Sequence, residues 1–115
     1  MRPIDIACIS KFAQMEFKVG DAERGKTIFE GIIESHPKQL DQWFIYTDML
    51  ARKQDLGGLR NVFEKLLAHK LSTKKAKSVF KKWLTIEKEI GDEQGVNDVK
   101  EKAIAWNESR QGDEE

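Results

Sequence analysis

Two carboxylates in this sequence, Glu16 and Glu87, fall on or beside apolar stripes, the setting from which a carboxyl group acts as general acid or base. That chemistry needs a partner. No second acid, histidine or cysteine accompanies either one at the spacing of a catalytic dyad or a metal site, so both are expected to accept hydrogen bonds between packed helices. His36 and His69 lie 33 positions apart at comparable helix ends, where the negative end of the helix dipole favours an imidazole. Two histidines do not define a zinc site. Cys8 is the only cysteine, which excludes an internal disulfide and a multi-thiolate site and points to a reducing compartment. It is expected to be a small, half-buried apolar residue. With no nucleophile–base set and no phosphate loop, the chain reads as a non-enzyme without catalytic residues, cofactor, metal or small-molecule substrate.

The remaining chemistry is charge. Lysines 70, 74, 75, 77, 81 and 82 follow one another with no acid between them. On a helical wheel Lys74, Lys77, Lys81 and Lys88 share one stripe, opposite Val79, Trp83, Ile86 and Ile90, while Lys75 and Lys82 flank the apolar face. Such a stripe suits a phosphate backbone or an acidic partner helix, and the bland alternative is an ordinary solvated face.

The elements that carry these residues recur. The octet from Lys26 to Ile33 returns as Arg60 to Leu67 and, more worn, as Asn97 to Ile104. In register, Ile28, Val62 and Val99 match at intervals of 34 and 37, and Glu30, Glu64 and Glu101 match beside them. A period in the thirties marks a helical repeat. Upstream of each octet an aromatic residue precedes an acid by four positions, as Phe12/Glu16, Phe44/Asp48 and Trp83/Glu87. The unit is therefore a helix hairpin present three times, at about 6–37, 39–71 and 73–110. Together these make one all-α, tetratricopeptide-like (TPR-like) solenoid domain over 1–110, with a disordered acidic tail at 111–115.

Local signals place the helix ends. Ile6, Ile9, Phe12, Ala13 and Phe17 form the first apolar stripe, which Gly20 stops. Asp21, Asp55, Ser72 or Thr73, and Asp92 stand where N-caps are wanted, and Pro37 closes the first unit. The last helix, with Val96, Val99, Ala103 and Trp106, has the thinnest apolar face. Across 115 residues, 39% are hydrophobic and 35% charged, with 20 basic residues against 20 acidic, so no bulk field draws the molecule to nucleic acid or membrane. No apolar run approaches the ~20 residues of a membrane span, and the chain reads as intracellular and soluble.

These motifs resemble the half-a-tetratricopeptide (HAT) repeat of RNA-processing proteins. Phe12, Glu16, Gly20, Ala22, Ile28, Phe29, Glu30 and Pro37 carry the likeness in the first unit, and Trp43, Asp48, Val62, Phe63 and Glu64 in the second. Trp83, Glu87, Gly91, Val99 and Glu101 carry it in the third, where Lys100 replaces the usual Phe. That replacement suits a terminal repeat facing water. The stretch from Ile9 to Phe17, with Gly20 to Arg24, is similar to the helical tail of large ribosomal-RNA-processing proteins that also carry OB-fold repeats. The resemblance implies a non-catalytic nucleolar scaffold in small-subunit assembly, in contact with proteins of pre-ribosomal particles and with pre-rRNA as a further candidate. The OB-fold repeats are absent from this sequence, so RNA binding of that kind is not implied.

Two other readings stay open, direct RNA binding through the lysine stripe and a HAT scaffold in splicing or messenger 3′-end formation. The first hairpin has no predecessor in this sequence, so Ile4, Ile6 and Met15 are expected to be left uncovered, open to a partner or to self-association.

Overall fold

The computed structural model describes residues 3–109, and side chains from residue 6 onward. It contains six helices among the described residues: α1 (Pro3–Val19), α2 (Ala22–Ser35), α3 (Leu40–Arg52), α4 (Leu56–Leu67), α5 (Thr73–Ile90) and α6 (Glu93–Ser109). Four starts are fixed by side chains that accept from amides lacking an intrahelical partner. Asp21 accepts from Glu23 N at 3.0 Å, Asp55 from Gly58 N at 3.0 Å, Ser72 from Lys75 N at 3.2 Å and Asp92 from Gly95 N at 2.7 Å. Each such cap contributes about 1 kcal/mol. The all-α class expected from the repeat is the class observed.

By packing, the chain forms two compact units, Met1–Lys53 and Gln54–Glu115. In the first, α1 and α2 pair closely because Gly25 has no side chain. A Cβ there would meet Phe17 Cδ2 at 2.7 Å and the Ala13 carbonyl at 3.0 Å. Phe17, Phe29 and Tyr46 then gather α1, α2 and α3, with Phe29 stacked on Tyr46 at a ring separation of 5.1 Å. The Tyr46 hydroxyl donates to Glu30 at 2.8 Å, and the Trp43 indole donates to the Pro37 carbonyl at 2.9 Å, which fixes the connection into α3.

In the second unit, Phe63 of α4 stacks on Trp83 of α5 at 5.0 Å, among buried Leu59, Val62, Leu66, Val79 and Ile86. Helix α6 adds only Gly95 and Val99 to the fully buried set, and Trp106 meets Phe80 edge-on at 6.3 Å.

Three expectations are corrected. Phe12, placed on the core stripe, is 53% exposed, because α1 turns Ile6, Ser10, Ala13 and Phe17 inward instead. Ile6, expected to be uncovered, is therefore buried, whereas Met15 is open at 59%. Cys8 is exposed rather than half-buried. The Ile4 side chain and the acidic tail at 111–115 lie outside the described residues.

Candidate functional site

The buried carboxylate of Glu87 is held by three hydrogen bonds from two side chains. Arg60 of α4 donates to both of its oxygens, at 2.8 and 2.9 Å, and the Trp83 indole donates to Oε2 at 3.1 Å. Those bonds, the Arg60 bond foremost, hold the Glu87 carboxyl below the usual carboxylate range against the opposing effect of burial. The same pairing raises the Arg60 guanidinium. Cβ atoms at Gly91 or Gly95 would fall on Glu87 Oε1, so the carboxylate occupies space that only glycines leave. The carboxylate is 1% exposed and ties α5 to α4.

Glu16 does related work more exposed to water. Its Oε1 accepts from Asp21 N at 2.9 Å, its Oε2 lies 3.9 Å from Arg24, and a Cβ at Gly20 would fall on Oε1. It closes the turn between α1 and α2. Sequence reasoning missed Arg60 as the partner of Glu87, since 27 positions separate them and no local pattern joins them.

The other repeat-marking residues divide by burial. Phe29, Trp43, Val62, Phe63, Trp83 and Val99 are buried, whereas Ile28, Glu30, Pro37 and Asp48 are half-buried and Glu64 is exposed, 2.8 Å from Lys102. His36 and His69 are not brought together with other ligands, and among the described residues no group of three or more His, Cys, Asp or Glu is placed to hold a metal ion. Among those residues no helix is long and apolar enough to cross a membrane.

Two surfaces remain. On α1, Cys8, Phe12, Met15 and Val19 are all exposed at spacings of four, three and four. The buried stripe of Ile6, Ser10, Ala13 and Phe17 has the same spacing two residues earlier, so the two lie on opposite faces. The helix is thus apolar on both sides, a pattern associated with burial. The missed signal was this second stripe, which Phe12 belongs to. On α5, Lys74, Lys77, Lys81 and Lys88 are all exposed along one face, with Lys75 exposed and Lys82 half-buried beside it.

Comparison with known proteins agrees with the repeat. The family model described as suppressor of forked protein (Suf) matches residues 5–113. The rRNA biogenesis protein rrp5 of Schizosaccharomyces pombe is 52% identical over 101 residues, which is 88% of this chain and 6% of that protein. The RRP5 homolog of Mus musculus is 40% identical over 89% of the chain and 6% of its own length, and the rRNA biogenesis protein RRP5 of Arabidopsis thaliana 41% over 88% and 5%. The chain therefore spans about a twentieth of these relatives. The match runs over nearly the whole chain and the six described helices suit a HAT-repeat array, and the chain belongs to the suppressor-of-forked (Suf) family.

Proposed function

We propose that this chain is a non-catalytic protein-interaction scaffold in ribosomal-RNA processing and small-subunit assembly, acting in the nucleolus on proteins of pre-ribosomal particles. The pathway is supported by the 52% identity to a protein named for rRNA biogenesis. The scaffold role rests on one structural observation, the apolar stripe of Phe12, Met15 and Val19 left in water on α1. Exposed Lys11 and Lys18 flank that stripe, so its occupant is a protein helix with an apolar face and an acidic rim. Nothing in this role requires a nucleophile or a cofactor. The three-hairpin division at 6–37, 39–71 and 73–110 describes the repeat on which such a surface is mounted.

The test uses tagged full-length protein in nuclear extract. Small-subunit assembly proteins are expected to co-purify after ribonuclease treatment and at moderate salt, and to be lost from a Phe12→Glu/Met15→Glu variant whose circular dichroism is unchanged. Retention of the same proteins by that folded variant would remove α1 from the interaction. Loss of all of them on ribonuclease treatment would overturn the scaffold reading.

A further inference from the structure

From residue 72 to residue 88, the exposed positions carry lysine, serine or threonine and nothing else. Of the two acids on α5, Glu87 is buried against Arg60 and Glu89 comes after the row. Among the described residues, none of Lys74, Lys77, Lys81 and Lys88 has an acidic partner. In a chain with 20 acids for its 20 bases, pairing was available and this face goes without it. The row also runs against local stability. Lys74 and Lys75 occupy the first turn of α5, where the positive end of the dipole favours acids and none is present. Local choices that conflict with the element they sit on are expected at functional sites.

The geometry points to a binding site for the phosphate backbone of RNA, read without regard to base sequence. With a rise of 1.5 Å per residue, Lys74 to Lys88 spans about 21 Å, long enough to follow several phosphates. Lysine is a compact point charge that holds a phosphate without the fork geometry arginine uses to read a guanine edge. A protein partner would want an aromatic or aliphatic anchor at the centre of the patch, and Val79, Phe80 and Trp83 are all turned inward. Their burial also leaves this face without an exposed ring on which an unpaired base can stack. The remaining chemistry is charge against phosphate. The site rests on α5 alone and stands whether or not the stripe on α1 holds a protein.

Fluorescence anisotropy of this chain with two labelled RNA duplexes of unrelated sequence, each of about 20 base pairs, tests it directly. Both duplexes are expected to bind with the same affinity and the same steep salt dependence. A Lys74→Gln/Lys77→Gln/Lys81→Gln variant should lower the logarithmic salt slope by about 3, one for each phosphate no longer neutralised. Far-UV circular dichroism should be unchanged, because all three side chains are in water, and the matching Lys→Arg variant should retain the slope. A wild-type slope in the folded glutamine variant would overturn the proposal. So would a glutamate-rich peptide of equal charge that binds more tightly than RNA at the same ionic strength, which would make the row a docking face for an acidic protein.

Discussion

Arg60 and Glu87 differ in their access to water, and the difference decides what each mutation costs. The arginine side chain is 39% exposed and the carboxylate 1%. Replacing Glu87 with glutamine leaves an acceptor for Arg60 and Trp83 and lets the guanidinium turn to solvent, with Asp92 still 3.9 Å away. Its expected cost is about 1 kcal/mol. Arg60→Met instead strands a buried carboxylate with one indole donor, and about 3 kcal/mol is expected at neutral pH. That figure reflects the stranded group, since solvent screens the attraction of a partner this exposed. The pH dependence separates the two. In the parent the Glu87 carboxyl is lowered, so its contribution is complete above the unfolded value of about 4.3 and is lost as pH falls through the lower folded value. In Arg60→Met, burial without the partner raises the carboxyl, so acid relieves the penalty. Denaturant midpoints at neutral and acid pH should show the gap between parent and variant closing as pH falls, and a constant gap would refute this role for Arg60.

At the scale of elements, one turn residue stands out. Gln54, between α3 and α4, has φ of 56°, the left-handed region that costs a residue with a Cβ about 1 kcal/mol. Gln54→Gly is therefore expected to raise the thermal midpoint, the gain offset in part by the greater freedom of glycine in the unfolded chain. A lowered midpoint would mean that the Gln54 side chain contributes more than its backbone strain costs. This position was invisible in the sequence, where nothing marks glutamine as left-handed. The caps at Asp21, Asp55, Ser72 and Asp92 were legible because capping is chemistry within three residues. The facing of α1 was not, because its two stripes have the same spacing and periodicity cannot choose between them. Packing chooses: Gly25 on α2 admits Phe17 closely, and Phe12 is carried to the outside. The lysine run was plain as composition, but the lack of acidic partners for Lys74, Lys77, Lys81 and Lys88 depends on which side chains neighbouring helices bring near.

Over the whole molecule, stability follows where buried side chains bind each helix to its unit. In Met1–Lys53, α1, α2 and α3 all contribute rings to one cluster, so each is held by long-range packing. In Gln54–Glu115 the support is uneven. Helices α4 and α5 share the Phe63–Trp83 stack and the Arg60–Glu87 bridge, while α6 buries Gly95 and Val99 and leaves Ile104 58% exposed. The Lys102–Glu64 ion pair does little to redress this, since its side chains are 42% and 52% exposed and such pairs contribute a few tenths of a kcal/mol. Repeat arrays open locally where neighbouring helices share the least buried surface. Sequence alone points to the third hairpin fraying first, because its last helix has the thinnest apolar face. The packing refines that expectation, because α5 is also held from the α4 side, by the Phe63–Trp83 stack and the Arg60–Glu87 bridge. Native-state hydrogen exchange should therefore show α6 amides exchanging fastest among the six helices, with those of α5 protected alongside α4. Protection of α6 equal to that of α5 would mean that Val99 and the Phe80–Trp106 pair couple the two helices into one opening unit, so that α6 could not open alone.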